Sequence, residues 1–329
     1  MQSARGVTIT TDVEATVERL RSGGLAVIPT ETVYGLAADA EQPGAVARIF
    51  SVKSRPPDHP LIVHLATPET LSDGWLDPST PAILAHAIER LATTCWPGPL
   101  TMLVPRGPRA LDAVTGGRST VGIRVPAHPD AQRILNSFDG GLAAPSANRF
   151  GRVSPTTAQH VLADLGVLLD PGRDIVFDGG RSEVGVESTI VDLSVWPPQV
   201  LRDGAVSADD IAAIIDGPLD DPGGPSRASG MLASHYAPRC AVLVADSPHQ
   251  AATLAAHHAE SGERVRVLDR TADVVLAAFE LYSDLRAADD DDLDALIVVL
   301  PAARGIGHAV RDRLIKAAAG SGRPTNRVD

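Results

Sequence analysis

Three observations predict an α/β protein built in two parts. Short apolar strand-like runs alternate with helical periodicity through the first two-thirds of the chain. A stretch rich in Gly, Pro, Asp and Ser, Asp216 to Arg227, then interrupts the pattern with linker composition. Beyond it, strand and helix alternate three times in order, as a small βαβαβα unit would.

Taken in order, Asp12 to Arg21 has helical spacing at Val13, Val17 and Leu20, and Gly23-Gly24 ends it. Leu25 to Ile28 is a short apolar strand stopped by Pro29, and Thr30 to Leu36 reads as a polar loop at its carboxyl end. Ala45 to Val52 is a helix and Leu61 to Leu65 a strand. Ala82 to Thr94 is helical, and the turn Trp96-Pro97-Gly98-Pro99 leads into the strand Leu100 to Val104. Thr120 to Val125 is a strand, Asp130 to Asn136 a short helix and Gly141 to Ala144 a buried strand. Thr156 to Leu165 is helical, Ile175 to Phe177 and Ser188 to Leu193 are strands, and Val200 to Arg202 closes this part. The short connections argue against a strictly repeated βαβ order. After the helix Ala208 to Ile215 and the linker come Cys240 to Ala245, Gln250 to Ala259, Arg264 to Leu268, Ala272 to Leu285, Ala295 to Leu300 and Ala309 to Ala319. Their order predicts a three-stranded parallel sheet. The tail Ser321 to Asp329 is expected to be disordered.

Composition excludes several classes of function. At 329 residues, 44% hydrophobic and 21% charged, the balance is that of a globular protein. No apolar run approaches the roughly 20 residues that span a bilayer, so no membrane contact is expected. Met1 to Thr11 carries no basic stretch followed by an apolar one, so no secretory signal is expected. Cys95 and Cys240 stand apart, without metal-ligand spacing, which fits a reducing cytoplasm. The net charge of −12 argues against a surface that coats nucleic acid. Residues 1–207 carry 17 basic and 22 acidic groups, which leaves room for a local basic cleft.

Lysine occurs only at Lys53 and Lys316. Lys53-Ser54-Arg55-Pro56-Pro57-Asp58-His59-Pro60 sets two cations one residue apart before a proline-stiffened loop. Either they form a charge pair for an anion, or Lys53 merely closes a helix, where a cation is favoured. Further polar clusters follow strands: Thr30 to Tyr34, Ala144-Pro145-Ser146-Ala147-Asn148, and Gly185-Val186-Glu187-Ser188-Thr189. Loops at strand ends collect ligands in open α/β sheets, and hydroxyls, an amide and cations suit a phosphorylated ligand with a small polar co-substrate. No Walker loop, GxGxxG or GxSxG is present. Tyr34 reads as a packing residue. His64, between Val63 and Leu65, is on residue type alone more often structural than a ligand.

Six motifs then occur in one order: Thr30-Glu31-Thr32-Val33-Tyr34-Gly35-Leu36, Lys53-x-Arg55-Pro56, Trp96-Pro97-Gly98-Pro99-Leu100-Thr101, Arg124-x-Pro126, Ala144-Pro145-Ser146-Ala147-Asn148 and Gly185-x-Glu187-Ser188-Thr189. Over residues 9 to 207 the chain resembles the YrdC/Sua5 family. Gly230-Met231 through His235-Tyr236-Ala237-Pro238 resembles the interdomain linker of its longer members, and Gly305 to Lys316 the end of their second domain.

The resemblance implies a YrdC-like twisted sheet domain with a concave groove at 1–207, a linker at 208–238, and a small Rossmann-like, three-layer Sua5 C-terminal domain at 239–329. It implies a threonylcarbamoyl-AMP synthase joining L-threonine, bicarbonate and ATP, with release of pyrophosphate. The product would serve N6-threonylcarbamoylation of adenosine 37 in tRNA through a transferase complex. L-Threonine would be held by Thr32, His64, Arg124, the Ala144 backbone and Ser188, with Arg124 on its carboxylate. ATP would be held by Arg55, His59, Thr120, Ser146, Ser154, Arg202 and Tyr236. Lys53, Arg55, Ser146 and Asn148 would form the catalytic centre, with Mg²⁺ riding on the phosphates rather than in a protein cage. The second domain would gate the site through the His235-Tyr236 segment. Ser229 stands where the family has Pro, and His59 where many members have Asn. The competing expectation is a double-stranded RNA-binding module of the same fold, with a weak RNA contact also conceivable for the enzyme. The related hydrogenase-maturation enzymes need more length and more cysteines than this chain has.

Overall fold

The computed structural model describes residues 6–223 and 234–321. The expectations for Ser229, Gly230, Met231 and the tail beyond 321 fall outside them. The chain divides into two compact units. One comprises 1–150, 155–183 and 187–231; the other comprises 151–154, 184–186 and 232–329.

The first unit opens with strand β1 (Thr8–Thr10), helix α1 (Val13–Arg21), β2 (Ala26–Ile28), β3 (Gly35–Asp39) and α2 (Pro43–Lys53). It continues with β4 (Ile62–His64), α3 (Ala82–Cys95), β5 (Leu100–Pro105), the short α4 (Asp112–Thr115) and β6 (Thr120–Arg124). Then come α5 (Pro129–Phe138), β7 (Leu142–Ala143), α6 (Ala158–Leu165), β8 (Ile175–Phe177), β9 (Thr189–Asp192), β10 (Gln199–Arg202) and α7 (Ala208–Ile215). Ten strands form one mixed sheet in the order β1-β8-β2-β3-β7-β4-β6-β5-β9-β10. Parallel and antiparallel pairs both occur, so the sheet is not a βαβ repeat.

Alternation along the strands divides the core into two layers. Ala26 and Ile28 face α1 and α5, where Val17, Leu20, Ile134 and Phe138 pack. Leu25 and Val27 belong to the larger opposite layer with Val46, Ile49, Leu91 and Val161. Helices therefore cover both faces. Their starts follow from side chains that accept orphan backbone N–H groups: Asp12 caps α1, and Ser207 with Asp210 forms a capping box at α7.

Two strands were not legible. β1 is only three residues long and pairs with β8 alone. The second is β3, whose Gly35 and Leu36 the sequence reading placed in a polar loop; β3 pairs antiparallel with β2. The reason is local. Leu36, Ala37 and Ala38 are fully buried, and Gly35 lies so close to the next segment that a Cβ there would sit 3.3 Å from Ala144 Cβ.

In the second unit, β11 (Ala241–Ala245), α8 (Pro248–Glu260), β12 (Val265–Leu268), α9 (Val274–Asp290), β13 (Ala295–Val299) and α10 (Gly307–Gly320) follow one another as expected. The three strands are parallel in the order β11-β13-β12. Ala251 on α8 packs with Ile297 and Val299 of the central strand.

Asp174 holds three parts of the first unit together. It is buried, accepts from both terminal nitrogens of Arg48 on α2 at 2.8 Å, and also accepts the N–H groups of Leu25 and Asp170. Asp174→Ala leaves those donors unmatched and is expected to cost about 3 kcal/mol of unfolding free energy. That is the low end for a broken buried pair, because Arg48 still reaches water. Chemical denaturation of the full chain measures it.

Candidate functional site

The expected threonine residues lie on neighbouring elements of the first unit. β4 and β6 run parallel, and His64 and Arg124 are register partners at their last positions. Both are buried. Arg124 reaches across to the Thr30–Tyr34 segment, where its Nη1 donates to Thr32 Oγ1 at 2.8 Å and its Nη2 lies 2.7 Å from Glu31 Oε1. Its Nε donates to the Gly98 carbonyl at 3.3 Å, which ties the Trp96–Pro99 turn to the same place. The Thr30–Val33 turn is closed by its own hydroxyls: Thr30 Oγ1 donates to the Val33 carbonyl at 2.6 Å and lies 2.9 Å from Thr32 Oγ1.

His64 is pushed down to about 3, first by burial and then by the Arg124 guanidinium, so it is neutral. Ala144 follows β7, and its N–H donates to the Ile62 carbonyl. The carbonyl is what its backbone can offer a ligand. Ser188 precedes β9; its hydroxyl lies 2.7 Å from Thr101 Oγ1 on β5. Arg202 on β10 donates to the Ser188 carbonyl at 3.0 Å and to its hydroxyl at 3.1 Å.

Arg202 leads to the cations. Arg55 is buried and pushed down to about 10, mainly by burial and then by Arg202, while Asp58 opposes the shift. Its Nη2 donates to the Pro60 carbonyl at 2.9 Å, and its guanidinium lies over the Phe150 ring at 5.5 Å. His59 meets the same ring edge-on at 5.3 Å and is held below its ordinary value by burial and by Arg55.

Lys53 is the last residue of α2, and Ser54 after it takes a left-handed backbone with φ 53°. Lys53 thus closes a helix, as one of its two sequence readings has it. Yet it is 1% exposed, and its ammonium donates to the backbone carbonyls of Ser146 and Asn148. Burial, then the Arg55 charge, hold it well below the usual lysine range. Asn148 is wholly buried, and Ser146, half-buried, bridges to Gly35. Thr120, at the start of β6, is half-buried opposite Pro105.

The structure thus brings together Thr32, His64 and Arg124; Ser188 with Arg202; and Lys53, Arg55, His59, Ser146 and Asn148. Ser154 and Tyr236 belong to the second unit. There Tyr236, at φ 62°, is buried with the Arg313 guanidinium 5.5 Å from its ring, Tyr282 stacked at 5.7 Å and His235 edge-on at 4.2 Å. Tyr34 is a packing residue: its hydroxyl donates to the Gly180 carbonyl and accepts from the Gly179 N–H. Sequence reasoning missed three participants. Phe150 carries no motif at all, Thr101 could have been found only as the strand residue ending its motif, and Glu31 sits unremarked beside the expected ligand Thr32. Among the described residues no group of three or more His, Cys, Asp or Glu side chains gathers to hold a metal.

The family described as "Telomere recombination" (Sua5, YciO and YrdC) matches residues 18–204, and the family described as "Threonylcarbamoyl-AMP synthase, C-terminal domain" matches residues 206–319. The chain is 36% identical to a threonylcarbamoyl-AMP synthase of Pyrococcus abyssi, over 91% of each chain. It is also 36% identical to one of Bacillus subtilis, over 92% of this chain and 91% of that one. A crystal structure of P. abyssi Sua5 complexed with L-threonine superposes with a TM-score of 0.86 at 33% identity, over 96% of this chain and 99% of that one.

A neutral buried histidine makes folding sensitive to acid. Because His64 is depressed from its ordinary 6.5 to about 3, the unfolded chain binds its proton first. Stability is therefore complete above pH 6.5 and falls by about 1.4 kcal/mol per unit as pH drops from there toward 3. His64→Gln is expected to remove that slope, as read from denaturation midpoints of both proteins across the interval.

Proposed function

The chain belongs to the Sua5–YciO–YrdC family, and from that premise we propose how its residues divide the work of a threonylcarbamoyl-AMP synthase. The reaction joins L-threonine, bicarbonate or CO2, and ATP into L-threonylcarbamoyl-AMP and pyrophosphate. The observation that carries the division is the set of buried cations, Lys53, Arg55 and Arg202, in the same compact unit as the Arg124–Thr32 pair. Like charges that depress one another in a low-dielectric site are relieved when an anion joins them.

At one end, the planar fork of Arg124 suits the threonine carboxylate, with Thr32, neutral His64, Ser188 and the Ala144 carbonyl around the rest of the amino acid. At the other, Arg55 and Arg202 face the triphosphate, with His59, Thr120 and Ser146 in support. Ser154 and Tyr236 are proposed as further ATP ligands. The carbamate formed on threonine's nitrogen is an anion, and so is the phosphate it attacks. The fixed cations lower the barrier by stabilising charge that concentrates in the transition state. Carbamates decompose in water, so burial of these groups also protects the intermediate. Lys53 acts partly through the chain: its two carbonyl contacts hold the 146–148 loop, and with it the Ser146 and Asn148 side chains, in place.

Mg²⁺ is proposed to arrive with ATP, riding on its phosphates rather than on protein side chains. It would add charge neutralisation at the phosphates. The product is proposed to pass to a tRNA-modifying transferase complex, and a cytoplasmic setting fits Cys95 and Cys240, both free thiols. No helix among the described residues is long and apolar enough to cross a membrane. The RNA-binding alternative is not favoured, because relatives matching nearly the whole chain are named as synthases and the net charge is −12.

Pyrophosphate release with mass spectrometry of the nucleotide products tests the reading. An adduct of AMP with threonine and one carbonyl, absent when any of the three substrates is omitted, is expected. ATP turnover indifferent to threonine would contradict it. Arg55→Ala is expected to lower kcat/KM by about 100- to 1000-fold, as loss of one preorganised donor does, and to lower the melting temperature modestly, because the Pro60 carbonyl loses its donor. Lys53→Ala should lower both, because two buried carbonyls lose their donor.

A further inference from the structure

Glu31 is buried, 5% exposed, and belongs to no role assigned so far. A carboxylate has about four acceptor positions, and a buried one is ordinarily met by several donors. Here Oε1 lies 2.7 Å from Arg124 Nη2 but without in-line hydrogen-bond geometry, and Oε2 has no hydrogen-bond partner among the described residues. The neighbouring hydroxyls cannot help. Thr30 spends its proton on the Val33 carbonyl, and Thr32 accepts from Arg124 while its own proton points to Thr30 Oγ1. The remaining Arg124 nitrogens go to Thr32 and to the Gly98 carbonyl. A buried negative charge is thus left with an unfilled acceptor beside the guanidinium proposed to receive a carboxylate.

We propose that Glu31 is the receptor for the α-ammonium group of the amino-acid substrate, so that Arg124 and Glu31 together recognise a zwitterion. This rests on the reading of Arg124 as the carboxylate ligand. A lone carboxylate brought to Arg124 would face Glu31 across a short, poorly solvated distance, and the repulsion would reject it. A ligand carrying an ammonium beside its carboxylate meets both charges and fills the open acceptor. Glu31 thereby selects α-amino acids against the corresponding hydroxy acids, a preference that positive Arg124 and the neutral Thr32 and His64 do not impose by charge.

The test is calorimetric binding to the full chain of L-threonine and of 2,3-dihydroxybutanoate, in which a hydroxyl replaces the amine. Wild type should prefer threonine by about 10- to 150-fold or more, the range for a hydrogen bond to a charged group. In Glu31→Gln that preference should collapse to within a few-fold, threonine weakening while the hydroxy acid holds or improves. If Glu31 only anchors Arg124, the substitution weakens both ligands alike and the ratio stays, which overturns the proposal. Wild-type protein that binds both acids equally overturns it as well, whether or not the variant folds. Absence of threonine binding by wild type would instead remove the underlying reading, and the proposal with it.

Discussion

The constraint on which the site depends is a buried ammonium. Lys53 ends α2 with its side chain out of water, and its protons go to two backbone carbonyls of the Ala144–Asn148 loop. That loop is also stitched to β3: Leu36 donates to the Pro145 carbonyl and Ala147 to that of Tyr34. The Phe150 N–H in turn donates to the Lys53 carbonyl at 3.0 Å. Helix end, loop and strand are thereby one piece, and Ser146, Asn148 and the Phe150 platform under Arg55 and His59 follow from it.

What this arrangement costs explains what it is for. Lys53 is lowered by Arg55, and Arg55 by Arg202, each after burial itself. A protein gains nothing in stability from gathering cations in a dry place; the gain appears when an anion arrives. At Arg124 the charge is balanced instead, by Glu31. On the reading proposed above, the cations await a polyanion and the Arg124–Glu31 pair a molecule carrying both signs.

Much of this was legible beforehand, because polar motifs that follow strand-like runs land at strand ends. Thr32 and Ser188 lay in such clusters, whereas Arg124 and Arg202 were named only through the family resemblance. The limits were physical too. β3 escaped because a run of Gly, Leu and small alanines has weak strand propensity and becomes a strand only through tight packing of Gly35 on Ala144. Lys53 read ambiguously because position along a helix does not reveal burial. Phe150 and Thr101 serve through contacts with residues far away in the chain, which spacing cannot show. Glu31 was hidden by its neighbours: in a run of three polar residues, which one keeps an open acceptor depends on hydroxyl directions fixed only in the fold.

The most direct measurement of the central claim, that the buried cations are held for a nucleotide, is proton exchange on binding. ATP binding to the full chain would be followed by calorimetry across pH 7 to 10 in buffers of different ionisation enthalpy. Because burial and Arg55 lower Lys53, the arriving triphosphate raises it, and net proton uptake somewhere in that interval is predicted that disappears in Lys53→Met. Binding with no proton uptake, and the same in the variant, would contradict the account.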